Sequence, residues 1–424
     1  MAILLKNATF INWETLKFSQ TNILVEEGER KQLKSFKNSD QVQTDSHDEI
    51  IDCTGKYVTK SFAVGHHHVY SALARGMPAP AKSPQNFREI LQYIWWNLDK
   101  ALDKESIEAS ALATAMACAK AGATFAIDHH ASPNCIEGSL EIIANAFEKV
   151  GVSHLLCYEI TDRDGKDKAE QGLDENERHL ENNQGLVGVH ASFTVSDETL
   201  AKAASLSEKY NTGVHMHIAE DLYDQEHCIA HHEKNVTERL RDFGLLNFAK
   251  TILVHGLHLS ESERKIISES KAWMVQNMES NLKNKVGYFN GEGLDPNSIM
   301  LGTDGMHSDM LQSSKAAFFA GQKSDNINYA SAYQRFRNVH RYLNTNGFKG
   351  DGENNLVVMD YDSPTPFKQE NFLGQFIFGL HSNHVQHVIS NGKLIVKDRL
   401  LQNIDEQEAL SFTREQAEKL WKKL

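Results

Sequence analysis

Residues 186–218 read LVGVHASFTVSDETLAKAASLSEKYNTGVHMHI, and this stretch decides the fold. Leu186 to His190 is a short apolar run of strand character. Ser196 can cap a helix that continues to about Tyr210. Gly213 to Ile218 is strand-like again. Strand, helix and strand follow one another with short connections, which is the pattern of a parallel βαβ unit. The alternation continues outward on both sides. Downstream, Ile252 to His255 reads as a strand, and Ser260 with Glu263 makes a capping box for the next helix. Ala272 to Val275 and Ser298 to Leu301 complete that series. Upstream, apolar residues at three- and four-residue spacing mark helices over 86–102 and 104–120. Gly122 closes the second, and a strand-like run from Ala123 to Ile127 follows.

The chain has 424 residues, enough for eight such units plus a smaller module. The expected fold is α/β, a (β/α)₈ TIM-type barrel over residues 60–349. Short alternating runs up to residue 59 and again beyond 350 have β character. Asn391-Gly392 between two of them is a hairpin turn signal. Segments 1–59 and 350–424 are therefore expected to form one small composite β-sandwich.

Composition narrows the function. There are 44 Lys and Arg against 57 Asp and Glu, a net charge of −13. That balance argues against a nucleic-acid partner, because phosphate binding needs clustered cations. No run approaches the roughly 20 apolar residues that span a bilayer. The N-terminal apolar run is too short for a secretory signal. The five cysteines show no CxxC spacing and read as reduced thiols of a cytoplasmic protein. The 21 histidines are the feature to pursue, since imidazole is the commonest metal ligand.

Their placement carries the information. His66 and His68 follow the apolar run Phe62 to Val64, and on a strand they share a face. His215 and His217 lie in one strand with Glu220 three residues on. Parity cannot choose between them, but His217 is nearer the C-terminal end, where barrel enzymes place their sites. His255 and Asp304 each end a further apolar run. Four strands thus deliver three imidazoles and one carboxylate for a metal, with one more imidazole beside them. HExxH, GxSxG, Walker A and GxGxxG are all missing. His231-His232 reads as solvated surface, and Trp95-Trp96 as helix core or interface.

The set His66-x-His68, His217-x-x-Glu220, His255 and Thr303-Asp304 resembles the metal-dependent amidohydrolase superfamily. The branch is that of cytosine, guanine and adenosine-type deaminases and triazine chlorohydrolases. Within it, residues 66–76, 128–133, 219–224, 277–281 and 302–305 are most similar to the SsnA-type aminohydrolases. The resemblance implies one Zn²⁺ or Fe²⁺ held by His66, His68, His217 and Asp304. It implies Glu220 as proton shuttle and His255 as the group orienting or deprotonating the attacking water. It also implies a substrate contact at His190. His129 and His130, after the second barrel strand, are further candidate pocket residues.

Three departures stand out. Lys60-Ser61 replaces the Pro-Gly that relatives carry before the HxH strand, which alters a turn without removing a ligand. Gln276 stands where relatives commonly have His, at a candidate substrate contact. The stretch 321–350 looks short, so a late barrel helix is expected to be truncated. The expected activity is metal-dependent hydrolysis of a non-peptide C–N bond, with water deaminating a purine-, pyrimidine- or triazine-like heterocycle. A chlorohydrolase, a cyclic amidohydrolase or a non-catalytic binding protein would use the same set. The expected partners are the small heterocycle and water, with no nucleic acid or membrane, in a homodimer or higher homo-oligomer.

Overall fold

The computed structural model describes residues 2–29, 31–37 and 49–424. Eight parallel strands lie at Phe62–His67, Ala123–Asp128, Ser153–Leu155, Val187–Ala191, Val214–Ile218, Ile252–His255, Trp273–Gln276 and Ile299–Leu301. The first three form one hydrogen-bonded arc and the last five another. Bridges Leu156↔Gly185 and Ile160↔Val189 join the third strand to the fourth, and His67↔Asp304 joins the first to the chain leaving the eighth. The two arcs therefore meet on both sides in a TIM-barrel-type fold. Strands covered on both faces should be apolar throughout rather than alternating. The fourth to seventh strands are indeed buried at every residue.

Helix starts follow the side chains that cap them. Ser196 accepts from the Thr199 amide at the start of Asp197–Lys209. Ser260 and Glu263 form the capping box of Glu261–Ser268. Asp103 and Ser106 do the same for Lys104–Lys120. The segment before that helix is irregular. Phe87–Ile90 and Trp96–Ala101 are α-helical, but Leu91–Trp95 between them is π-helical.

No late helix is truncated. Met310–Ser324 and Tyr329–Thr345 run for 15 and 17 residues. The second has a structural task that keeps it long. Its Val339, Tyr342 and Leu343 pack with Ala63, Phe125, Leu155, Val254, Val275 and Met300 in one buried cluster drawn from six barrel strands.

The two chain ends pair in a single nine-stranded sheet. Its seam is Tyr57–Lys60, antiparallel to Leu356–Met359 with Leu356 opposite Lys60. The hairpin at Asn391-Gly392 has φ of 49° and 78°, the left-handed pair that a two-residue turn requires. Only Ser61 separates the last N-terminal sheet strand from the first barrel strand. Lys60 at this crossing is buried and pairs with Asp351 at 2.9 Å. The C-terminal helix Glu406–Trp421 packs on Lys104–Lys120, and its Trp421 indole donates to the Leu73 carbonyl at 2.8 Å. All five cysteines are free. Among the described residues, no helix is long and apolar enough to cross a membrane.

Candidate active site

The C-terminal ends of the first, fifth, sixth and eighth strands converge. Nitrogens of His66, His68 and His217 lie within 4.8 Å of one another, as do ligand atoms of His66, His255 and Asp304. Asp304 Oδ1 is 3.5 Å from His68 Nε2 and 4.0 Å from His66 Nε2. The backbone turns sharply to present these groups. Ala219, His255 and Asp304 have φ of 44°, 73° and 52°, a region that costs a side-chain-bearing residue about 1–2 kcal/mol. Strain of this kind clusters at functional sites.

The imidazole tautomers can be read from their outer partners. His68 Nδ1 lies 2.7 Å from the His129 carbonyl, and His217 Nδ1 lies 3.0 Å from the His190 carbonyl. A carbonyl only accepts, so each Nδ1 carries the proton and each Nε2 of the neutral ring is bare. Those two bare nitrogens face each other at 3.1 Å. His66 Nδ1 is 2.8 Å from His215 Nε2, and its own Nε2 is buried without a hydrogen-bond partner. Lone pairs converging in a dry pocket repel unless a cation sits among them. Burial holds His66 and His217 well below the usual histidine range, which keeps them neutral as ligands must be. Three neutral imidazoles and a carboxylate are a donor set that suits Zn²⁺ or Fe²⁺.

His255 is different. Asn281 Nδ2 donates to its Nδ1 at 2.9 Å, so the proton of the neutral ring lies on Nε2. That proton faces Glu220 Oε2 at 3.4 Å and Asp304 Oδ2 at 3.8 Å. Burial lowers the His255 pKa to about 4. Hence His68 and His217 offer lone pairs inward, His66 can offer a third when His215 accepts its Nδ1 proton, and the fourth ring offers a proton. The carboxylates diverge as well. Burial pushes Asp304 up, but His68, His255, the Ser280 hydroxyl and the Gly305 amide outweigh it and hold the group below its usual value. Burial, reinforced by Asp304, pushes Glu220 well above the carboxylate range. The surroundings thus shift the two carboxyls in opposite directions, Asp304 toward the ionised form and Glu220 toward the protonated one.

Above these groups lies a cavity walled by Phe87, Leu91, Trp95, Trp96, Phe193, Tyr223, Tyr70 and Met306. Trp95 and Trp96 therefore face the cavity as well as the helix packing expected for them. Of the expected substrate contacts, His190 lines the cavity, its Nδ1 2.7 Å from Thr194 Oγ1. His129, His130 and Gln276 are not on its wall. His129 Nε2 donates to the His215 and Val189 carbonyls at 3.0 and 3.2 Å. His130 pairs with Ser132 at 2.9 Å. Gln276 accepts from Arg335 at 2.8 Å, because its side chain leaves the seventh strand toward the helix Tyr329–Thr345.

Two site residues, Glu159 and Arg163, carry no signal in the sequence reading. They follow the short third strand and line the cavity. Arg163 pairs with Asp99 and lies 5.1 Å over the Trp96 ring. Burial would raise the Glu159 carboxyl, but His190, His129 and Arg163 outweigh it and hold it below the usual range. His215 backs His66, and Asn281 backs His255. The HxH parity of His215 and His217 hinted at a shared role, but only three dimensions divide it into an inner and an outer ring.

Residues 62–342 match the model of the Amidohydrolase family. A 5-methylthioadenosine/S-adenosylhomocysteine deaminase of Thermoanaerobacter pseudethanolicus is 24% identical over 446 residues, covering 99% of each chain. A 5'-deoxyadenosine deaminase of Methanococcus maripaludis is 27% identical over 389 residues, covering 87% of this chain and 89% of its own. Among solved structures, an adenosine deaminase from Xanthomonas campestris with bound zinc superimposes with a TM-score of 0.82. It is 18% identical and covers 99% of this chain and 98% of its own.

Proposed function

The chain belongs to the amidohydrolase family, and from that premise we propose that it is a metal-dependent hydrolase that deaminates an amine-bearing heterocycle. The observation that carries this reading is the arrangement of the rings: bare Nε2 atoms on His68 and His217 and the unpartnered Nε2 of His66 beside Asp304, and an Nε2–H on His255. His66, His68, His217 and Asp304 would hold one divalent ion, Zn²⁺ or Fe²⁺. Such an ion lowers the pKa of a water it holds from 15.7 to about 7, which makes hydroxide accessible at neutral pH. The names of the adenosine-type relatives support a ring carbon bearing an exocyclic amine as the target.

The chain's own groups divide the proton work. Ionised Asp304 accepts the proton that the attacking water gives up. The His255 Nε2–H, fixed by Asn281, orients that water between the two carboxyls. Protonated Glu220 donates to the ring nitrogen next to the attacked carbon, Asp304 passes the proton it took to the amine, which leaves as ammonia, and the proton left on the added hydroxyl returns to Glu220. The aromatic wall excludes bulk water and stacks a planar ring.

Residues 60–349 act as the catalytic domain. The terminal sheet, with Leu5, Val25, Val58 and Val358 in one buried cluster, would serve as the composite sandwich beside it. A cytoplasmic homo-oligomer fits the free thiols and the exposed cluster of Phe319, Tyr329 and Phe378. The test is ammonia release by zinc- or iron-loaded protein over purines, pyrimidines, pterins and triazines. Asp304→Asn should cut turnover about 10²–10⁴-fold with the ion retained. Activity near wild type in that variant would sink the assignment.

A further inference from the structure

We propose that Glu159 sets the substrate class by accepting a hydrogen bond from a ring N–H, so that the enzyme prefers oxo- or amino-heterocycles with a ring N–H over N9-substituted adenines. This rests on the deaminase reading of the site and narrows it. Glu159 is 3% exposed, yet it lines the cavity. Its protein neighbours are His129 Nδ1 at 3.3 Å from Oε2, and Arg163 Nη1 at 3.6 Å and His190 Nε2 at 3.9 Å from Oε1. They neutralise a carboxylate, but both contacts at Oε1 exceed hydrogen-bond length. An ionised carboxylate has about four acceptor sites, so capacity remains toward the cavity.

Its position fixes what it can reach. A Glu159 oxygen lies within 4.8 Å of ring nitrogens of His190 and His217, and Glu159 forms a second such group with His68 and His129. It therefore meets ring atoms beside the reacting carbon rather than a substituent further out. Glu220 instead approaches His255. The two carboxyls come from the ends of different strands, one giving a proton to the ring and the other accepting a hydrogen bond from it. An N9-substituted adenine has only lone pairs at N1, N3 and N7, and its one donor is the amine that leaves. A carboxylate facing such a lone pair repels it. A site built around a substrate N–H can reject an analogue lacking it by 10⁴–10⁵-fold.

The test uses the zinc-loaded full chain and paired probes. Guanine is compared with 1-methyl- and 9-methylguanine, cytosine with 1-methylcytosine, and both parents with 5'-deoxyadenosine. Binding is measured calorimetrically and ammonia release in parallel, for wild type and Glu159→Gln. The expected result is that at least one parent binds about 100-fold or more tightly than a methylated partner and than 5'-deoxyadenosine. Glu159→Gln should shrink that ratio below about tenfold and leave the zinc content unchanged. Three outcomes overturn the proposal: tighter wild-type binding of 5'-deoxyadenosine than of every N–H probe, an unchanged ratio in the variant, or loss of zinc, which would make Glu159 a ligand of the ion. The wild-type comparison decides even if the variant does not fold. N–H selectivity without ammonia release would refute the deaminase reading alone, and ammonia release without selectivity would refute this one alone.

Discussion

The outer imidazole His215 offers the sharpest test of the metal site. His215 and His66 are both fully buried, and His66 Nδ1 faces His215 Nε2 at 2.8 Å, the acceptor its proton needs if His66 Nε2 is to bind a metal. His215→Phe keeps an aromatic ring, somewhat larger than imidazole, and removes the acceptor. The His66 Nδ1–H would then be buried without a partner, at about 1–3 kcal/mol. The ring can escape only by moving its proton to Nε2, which removes the lone pair a metal needs. Both routes act in the same direction. At 1.4 kcal/mol per tenfold, zinc affinity should fall about 5- to 150-fold, in line with the 10–100-fold typical of residues that support a ligand. The assay is zinc competition against a fluorescent chelator, with the melting temperature of the zinc-free protein as a control for the fold. His215→Gln, whose amide oxygen can accept, should recover much of the affinity. Wild-type affinity in His215→Phe, or a Gln variant no better than Phe, would refute the tautomer argument.

Glu220→Gln should keep zinc and lower kcat by about 10²–10⁴-fold with little change in KM, because the amide cannot pass a proton; a kinetic titration with metal analysis checks this. At the crossing between sheet and barrel, Lys60→Met leaves Asp351 without its buried cation and should destabilise by about 3–5 kcal/mol in urea unfolding. The same cluster predicts a pH dependence. His340, 2.8 Å from Asp351, is held below 6.5 by burial, and Asp351 is held below 3.8 because His340 and Lys60 outweigh its burial. Both folded-state values are depressed, so both contributions are present above the unfolded values and fade as pH falls, His340 first below about 6.5 and Asp351 below about 3.8. His340→Asn should flatten the loss of stability between pH 7 and 5 relative to wild type, as read from urea midpoints.

The strand–helix series from 186 to 301 was legible because its periodicity is strong and its caps are local. Ser196, Ser260 and Glu263 act on backbone amides within three residues, so sequence spacing alone places them. The third strand was not legible. Ser153–Leu155 has three residues, two of them polar, and its pairing to the fourth strand runs through isolated bridges. Missing that strand hid Glu159, whose role depends on following it. His215 was seen but not resolved, since its partner His66 lies 149 residues away. Trp95 and Trp96 were assigned to packing because an ideal helix was assumed. The π-helical turn over Leu91–Trp95 changes which side chains meet the cavity.

Two of the departures from the familial pattern, Lys60-Ser61 and Gln276, fall outside the cavity. Lys60 replaces a turn residue, but its ammonium is held by Asp351 and by the Asp351 and Gly352 carbonyls, while Arg337 donates to the Lys60 and Ser61 carbonyls. Lys60 thus anchors the crossing through a buried ion pair, while His66 lies toward the far end of the following strand. Gln276 is bound by Arg335, which also pairs with Asp325. A His there would have to compete with that network before it could turn inward. A decaying site would be expected to lose ligands or their supports. Here the outer partners of His66, His68, His217 and His255 are all present; those of His68, His217 and His255 fix the tautomer the ring would need, and His215 can accept the Nδ1 proton of His66. Maintaining four buried imidazoles and three left-handed side-chain-bearing residues at one strand-end cluster costs stability that a passive binding pocket has no use for.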